Sequence, residues 1–153
     1  MRRLLFITLL APACCLADNL VKDGSMDSPA GWSGDRKFET VDDNRVMLLE
    51  AKKNRIMEVS TEVSTRNVKD LVVTFRYRSS DYVGRGFQLR GTRPGGGFTY
   101  NTFDLKVDGE WHERTWRFSE IRDSKSINFS FSLLEGTGTV MIDDVVIKEK
   151  SSD

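Results

Sequence analysis

The feature that most constrains this chain is a series of short runs in which apolar and polar residues alternate. The runs begin at Lys37 and are separated by turn-forming residues, and none shows the apolar repeat of about 3.6 residues that marks an amphipathic helix. We therefore predict an all-β chain with strands at 37–41, 45–52, 55–64, 70–78, 86–91, 98–107, 114–118, 126–134 and 139–149.

The order of residues within two of these runs indicates that each strand buries one face. The run from Leu71 to Tyr77 has apolar residues at alternate positions, and so does the run from Ile127 to Leu133. A single open sheet would leave such faces in water, so two sheets are expected to pack against each other. The predicted fold is a two-sheet antiparallel β-sandwich of the jelly-roll type.

The last run changes face in its middle. Val140 and Ile142 share one parity, whereas Val145 and Ile147 share the other, and Asp143-Asp144 lies between the two pairs. One extra residue in a strand moves every following side chain to the opposite face of the sheet. We therefore predict a β-bulge at the two aspartates.

The first residues have the order of a secretory signal peptide. Arg2 and Arg3 precede an apolar run that ends at Leu10, and small residues follow as far as Ala17. We predict a signal peptide at 1–17, one domain at 18–150 and a disordered tail at 151–153. The mature domain is then expected to be secreted or periplasmic, and it would contain no cysteine and hence no disulfide.

A second processing route stays open at residues 11–15. The order Ala-Pro-Ala-Cys-Cys is similar to the site at which bacterial lipoproteins are cut and lipidated. A lipid on Cys14 would anchor the domain to a membrane, which is otherwise not an expected partner. An uncleaved membrane anchor is the third alternative.

Composition limits both the chemistry and the partners. The 23 basic residues balance the 23 acidic ones, which argues against nucleic acid as a partner, and 153 residues suit one domain, expected to be a monomer. His112 is the single histidine, and spacing places no nucleophile beside it. No motif identifies the paired carboxylates of a glycoside hydrolase, so we predict that the chain is not an enzyme.

Three stretches of the chain, in order, resemble carbohydrate-binding modules of the cellulose- and xylan-binding jelly-roll type, which have a galactose-binding-like fold. They are Asn19–Asp27 with Gly31-Trp32, then Gly109-Glu110-Trp111, and finally Gly138–Val145. The resemblance implies a β-sandwich that binds a polysaccharide, has no catalytic role and accompanies glycoside hydrolases. Trp32 and Trp111 occupy positions that are buried or half-buried in the family pattern, so both are expected in the core, and parity favours a core position for Trp116 as well.

The same resemblance implies a structural calcium ion between the amino-terminal segment and the last strand. Carried over by position, the ligands would be the carbonyl of Gly24 and the side chains of Asp27, Asp143 and Asp144. Calcium takes six to eight oxygen ligands, so the two ends of the domain would have to meet. The alternative is that these aspartates only accept hydrogen bonds in turns or face water.

The expected glycan site combines planar polar groups with aromatic rings, because rings cover the C–H faces of sugars and polar groups bind their hydroxyls. Parity and position select Arg76, Arg78, Gln88, Arg90 and Asn128 as polar residues, with Tyr82, Phe98, Tyr100 and Phe103 as stacking residues. If the strands that carry them are adjacent, they form one face.

Two questions about the ligand stay open in the sequence. The arginines favour an acidic or sulfated glycan, since arginine binds carboxylate and sulfate through two parallel hydrogen bonds. The alternative is that they pair with neighbouring carboxylates on a solvated sheet. A different function is also open, in which the same sandwich serves as a structural or adhesive protein-interaction module of the cell envelope.

Overall fold

The structure is a computed structural model that describes residues 18–66, 68–119, 121 and 124–150. The predicted signal peptide, Cys14 and the tail at 151–153 lie outside these residues and stay predictions. Within the described ranges there is no helix with the length and apolar composition that crossing a membrane requires.

The described residues form strands and no helix. In chain order the strands are β1 (Trp32–Gly34), β2 (Lys37–Val41), β3 (Asn44–Glu50), β4 (Met57–Ser64), β5 (Leu71–Arg78), β6 (Val83–Gly84), β7 (Phe87–Thr92), β8 (Phe98–Phe103), β9 (His112–Phe118), β10 (Ser126–Leu133), β11 (Gly136–Thr137) and β12 (Thr139–Glu149). Every predicted strand is present, although several differ at one end by a few residues.

Two five-stranded antiparallel sheets make up the domain, and we call them the front and the back sheet. The front sheet has the order β1-β4-β10-β7-β8, and the back sheet has the order β2-β3-β12-β5-β9. A two-stranded sheet of β11 and β6 completes the structure. The prediction of an all-β, two-sheet antiparallel sandwich is confirmed.

The core lies between the two sheets and is rich in aromatic rings. Phe75 of the back sheet packs against Phe87 and Phe131 of the front sheet, with ring centroids 5.6 and 5.4 Å apart. Burial alternates along β5 and β7, so the inward residues are the apolar ones. Full burial of a side chain of this size contributes about 1.5–3 kcal/mol, and this cluster joins the layers.

Two of the three tryptophans lie in the core as predicted. Trp32 and Trp116 are buried, but Trp111 is only half-buried. Trp111 precedes β9 and lies under the guanidinium of Arg76, 4.9 Å from the ring centroid to the guanidinium carbon. The expectation that Trp111 belongs to the core is wrong, because its ring contacts a residue on the outer side of the back sheet.

The predicted bulge in the last strand is present. Pairing between β12 and β5 shifts register between Asp143 and Val146, and Asp144 adopts a left-handed backbone conformation with φ of 49°. Val145 and Ile147 therefore return to the buried face that Ile142 also occupies. The bulge leaves the side chain of Asp144 exposed on the outer side of the sheet.

The amino-terminal segment lies against the carboxyl-terminal half of β12. The amide of Val145 donates to the carbonyl of Gly24 at 2.8 Å, and the amide of Leu20 donates to the carbonyl of Ile147 at 2.7 Å. The side chain of Asn19 adds a donor bond to the Val145 carbonyl and an acceptor bond from the Ile147 amide. The prediction that the two ends of the domain meet is confirmed.

Candidate functional site

The outer surface of the front sheet carries a polar surface that ends in two aromatic rings, and we call it the front face. Register places Ser33, Ser60, Ser130, Arg90 and Tyr100 side by side across the five strands. A neighbouring row holds Glu62, Asn128, Thr92 and Phe98. At a strand spacing of about 4.8 Å the face is roughly 19 Å wide, which is long enough to contact an extended ligand.

A shallow groove of about 480 Å³ lies on this face. Its lining comes from β1, β4, β10 and the end of β7, together with the residues beside them: Gly31, Trp32, Ser33, Ser60, Glu62, Thr92, Arg93, Pro94, Ser126 and Asn128. The hydroxyl groups of Ser33 and Ser60 are 2.9 Å apart and share a hydrogen bond. Glu62 and Asn128 are exposed neighbours on adjacent strands, so the groove presents acceptors and donors together.

Two aromatic rings on β8 border this polar surface. Phe98 is 60% exposed and Tyr100 is 56% exposed, although rings of this size are normally covered in a folded protein. Their centroids are 6.2 Å apart and the ring planes are inclined by 33°. Since Phe98 pairs with Thr92 and Tyr100 with Arg90, the two rings continue the two polar rows.

The hairpin loop between β7 and β8 closes one end of the groove. Gly95, Gly96 and Gly97 all have positive φ values, which side chains rarely adopt. The amide of Arg93 donates to the Gly97 carbonyl at 3.1 Å, and the Arg93 guanidinium lies over the Phe118 ring at 5.7 Å. The loop thus places Arg93 and Pro94 at the groove.

Arg90, predicted as a ligand-binding residue, is paired with a carboxylate of its own sheet. One guanidinium nitrogen donates to both carboxylate oxygens of Glu58, at 3.3 and 3.0 Å. Ser132 also donates to Glu58, at 3.0 Å. The pair leaves Arg90 on the front face but offsets its charge.

Arg76 and Arg78 do not share a face with the other predicted residues. They lie on β5, which the back sheet holds between β12 and β9, and their side chains point to the outer side of that sheet. Arg76 pairs with Asp144 at 2.9 Å, and Arg78 pairs with Asp42 at 3.2 Å. The expectation of one face is wrong for this pair, and the alternative of pairing with local carboxylates is what the structure has.

Tyr82 and Phe103 face inward and not towards the front face. The hydroxyl of Tyr82 accepts a hydrogen bond from the Gly86 amide and contacts the carbonyls of Gly86 and Leu134 within 3.2 Å. Burial raises the pKa of this phenol above its usual value. Phe103 packs edge-on against Phe75 at 6.0 Å, so neither ring is placed to stack on a surface ligand.

The front face carries four of the residues predicted to bind the ligand: Gln88, Arg90, Tyr100 and Asn128. Sequence reasoning missed Ser33, Ser60 and Glu62. The alternation along β4 contained the signal for Ser60 and Glu62, whereas the three residues of β1 are too short a run to identify as a strand.

Each of the four predicted calcium ligands already has a protein partner, and only Gly24 is joined to the last strand by a hydrogen bond. The Gly24 carbonyl accepts from the Val145 amide, and the carboxylate of Asp27 accepts from the Ser25 hydroxyl at 2.7 Å. Asp144 is turned outward to Arg76. Within the described residues, no group of three or more His, Cys, Asp or Glu side chains is placed to hold a metal ion.

Asp143 is buried, with only 2% of its surface exposed, whereas Asp27 and Asp144 are exposed. Its carboxylate accepts hydrogen bonds from the Asn44 side chain at 2.6 Å and from the Asp144 amide at 2.8 Å. Burial raises the pKa of this carboxyl above its usual value, and the two hydrogen bonds oppose that change. As placed, this donor set does not fit a calcium site, which favours the alternative that the aspartates only accept hydrogen bonds from protein groups.

His112 lies at hydrogen-bond distance from Asp108, with 2.8 Å between Nε2 and the carboxylate oxygen. The hydrogen bond from His112 is the main cause that lowers the pKa of Asp108. The imidazole also packs on the buried ring of Tyr77 at 5.5 Å. These contacts give His112 a structural position at the start of β9.

Several solved structures share this architecture along most of the chain. A family 61 carbohydrate-binding module, solved in complex with β-1,4-galactotriose, has a TM-score of 0.67 at 16% identity over 88% of this chain and 100% of that chain. A family 16 carbohydrate-binding module has a TM-score of 0.67 at 10% identity over 86% of this chain and 100% of that chain. The chain has the jelly-roll fold of carbohydrate-binding modules.

The same fold also occurs joined to an enzyme. In the Clostridium thermocellum xylanase 10B, a family 22 module with its family 10 catalytic module was solved with xylohexaose, and the likeness covers 88% of this chain and 28% of that one. The TM-score is 0.59 at 14% identity. No protein-family model and no curated protein sequence matches this chain.

Proposed function

We propose that this chain is a non-catalytic domain that binds a polysaccharide along the front face. The observation that carries the proposal is the exposed pair Phe98 and Tyr100, which continues two rows of polar side chains across the front sheet. Exposed rings of this kind mark a binding surface, and a sugar chain uses rings and polar groups together.

The geometry suggests how a glycan would be held. The rings of Phe98 and Tyr100 would cover the C–H faces of sugar units at the β8 edge. Glu62 and Asn128 make no side-chain hydrogen bond within the described part of the chain, so both are available to sugar hydroxyls in the groove. A chain lying across the strands would contact both regions.

Charge on the front face favours a neutral glycan as the first candidate. Glu58 offsets Arg90, and the carboxylate of Glu62 has no ion-pair partner among the described residues. A free carboxylate in the groove repels carboxylated or sulfated chains.

The acidic glycan favoured by the sequence remains the second candidate, because Arg93 also lines the groove. Its Nε atom is buried and has no hydrogen-bond partner in the described chain. A guanidinium at the groove with no carboxylate partner among the described residues would donate hydrogen bonds to a uronate or a sulfate.

The proposal extends to export and to a partner enzyme. Residues 1–17 would direct the domain out of the cytoplasm, as a secreted or periplasmic protein or as a lipoprotein through Cys14. We propose that it works in association with glycoside hydrolases, as a monomer. Xylanase 10B joins a module of the same fold to its catalytic module, which supports this association.

The test is isothermal titration of the mature domain with soluble neutral and acidic polysaccharides. We expect binding to a neutral chain and at least about tenfold weaker binding by Tyr100→Ala or Phe98→Ala, which corresponds to about 1.4 kcal/mol of lost stacking. Ile56→Ala, which removes another exposed apolar side chain outside the strands, is the control and should bind normally.

Tight binding of only acidic chains, lost on Arg93→Ala, would select the second candidate. No binding across the panel would overturn the proposal and favour the envelope protein-interaction module.

A further inference from the structure

A second depression, of about 330 Å³, lies away from the groove, and we call it the end pocket. It is lined by Tyr82, Val83, Gly84, Arg85, Gly86, Asp104, Leu105 and Val107. These residues come from β6, from the link between β6 and β7, and from the segment that follows β8. The groove lies at the other end of β8, so the two sites are separated by roughly 20 Å along that strand.

The floor of the end pocket is held rigidly. Tyr82 is buried beneath it, and its hydroxyl is bonded to both backbone groups of Gly86. A side chain at Gly84 would meet the Tyr82 hydroxyl at 2.3 Å, so glycine lets the backbone lie directly on the ring. A preformed floor of this kind reduces the entropy that binding would otherwise lose.

Two exposed valines contribute aliphatic surface to the end pocket. Val83 is 73% exposed and Val107 is 41% exposed, although valine is usually buried. Leu105 also lines the pocket, and its side chain is partly buried against the core. The pocket therefore offers aliphatic surface to the C–H groups of a ligand.

The rim of the pocket carries one residue of each charge. Arg85 and Asp104 are exposed, and neither side chain has a hydrogen bond or ion pair within the part of the chain that the structure describes. By contrast, Arg76, Arg78 and Arg90 are all paired with carboxylates. Two free charged groups of opposite sign beside the exposed side chains of Val83 and Val107 are suited to a small molecule that carries both donors and acceptors.

We propose that the end pocket binds a single neutral sugar residue, such as the terminal unit of a glycan. Hydroxyl groups on neighbouring carbons accept from the Arg85 guanidinium and donate to the Asp104 carboxylate, while the valines cover the C–H edge of the ring. The volume is near the lower end of the range of about 300–1,000 Å³ for ligand pockets, which limits the ligand to a small one.

The choice of a sugar as the ligand class rests on the proposed function, but the site is separate from the front face. A polysaccharide that occupied both sites would gain avidity without any new contact, because the second binding event would be intramolecular. The mature domain would then hold the end of one chain while the front face holds its interior or another chain.

The experiment is a titration of the isotope-labelled mature domain with methyl glycosides of glucose, galactose, mannose and xylose, followed by amide chemical shifts. We expect shifts at 83–86 and 104–107 with at least one glycoside. Arg85→Ala and Asp104→Asn should each weaken this response at least about tenfold, since a hydrogen bond to a charged group is lost. Arg117→Ala, an exposed arginine on the back sheet, is the matched control.

The locations of the shifts separate this proposal from the previous one. Shifts confined to the groove residues Ser33, Ser60, Glu62 and Asn128 would overturn the end pocket and leave the front face intact. Shifts at 83–86 and 104–107 that persist in both variants would also overturn it, because Arg85 and Asp104 would not be the binding groups. An absence of any response to all four glycosides would overturn the end pocket, whereas the polysaccharide titration alone decides the front face.

Discussion

At the residue scale, chemical type alone did not decide whether an aromatic ring serves the core or the surface. Tyr82 and Tyr100 were both plausible stacking residues from the sequence, yet one is 6% exposed and the other is 56% exposed. The difference comes from what surrounds each ring: the hydroxyl of Tyr82 finds backbone partners at Gly86 and Leu134, whereas Tyr100 lies on an edge strand. Leu134 is 52 residues from Tyr82, so local sequence does not reveal this partner.

Removal of the Tyr82 hydroxyl tests its structural role. In Tyr82→Phe the Gly86 amide loses its acceptor inside the protein, so we expect the free energy of unfolding to fall by about 1–3 kcal/mol. Urea denaturation of the mature domain measures the change. Tyr100→Phe is the control and should change stability by less than about 0.5 kcal/mol. Equal stability of both variants would contradict the role assigned to the hydroxyl.

At the element scale, β12 was the strand that the sequence described most fully. Its bounds, its bulge and its change of face all agree with the prediction. The bulge could be predicted because the apolar residues of a buried strand change parity where one extra residue is inserted. By contrast, β8 ends at Phe103 and not at 107, since the amide of Lys106 donates to the buried Tyr77 hydroxyl and the chain leaves the sheet. That partner is remote in sequence.

Asp143, at the bulge, is expected to make the free energy of unfolding depend on pH. Its carboxyl has a raised pKa in the folded state, so the folded protein binds more protons than the unfolded chain between the unfolded pKa of about 3.9 and the raised value. Stability from this group is therefore present below pH 3.9 and is lost as the pH rises through the folded pKa.

Asp143→Asn removes the titrating group, and its Oδ1 still accepts from the Asp144 amide. Its Nδ2 donates to Asn44 once the Asn44 side-chain amide rotates to present its oxygen. We expect the stability of the variant relative to wild type to increase from pH 3 to pH 7, measured by urea denaturation at intervals. Asp144→Asn, at the exposed neighbour, is the control. A relative stability that does not change with pH would contradict the burial of a charged carboxylate.

At the scale of the whole molecule, the closure of the domain depends on the contact between its two ends. The resemblance implied a calcium ion there, but the observed links are hydrogen bonds, and Asn19 makes two of them, each 2.9 Å long. We therefore expect EDTA to leave the Tm unchanged within about 1 °C.

Asn19→Ala should lower the Tm by about 2–8 °C, since about 1–2 kcal/mol is lost and each kcal/mol shifts a domain of this size by about 2–4 °C. Calorimetry measures both effects, with Asn128→Ala as the exposed control. A clear fall of the Tm in EDTA would instead support the calcium ligands Gly24, Asp27, Asp143 and Asp144.

The sequence by itself determined the nine longer strands but not β1, β6 and β11. It also determined which side of β5 and β10 is buried and where the last strand bulges, because alternation and turn chemistry act between near neighbours. Only the tertiary structure decided which strands share a sheet. It placed β5 beside β12 and β9, so Arg76 and Arg78 lie on the opposite side of the sandwich from Gln88, Arg90 and Asn128. Pairing joins residues that are remote in the chain, and local patterns carry no information about that choice.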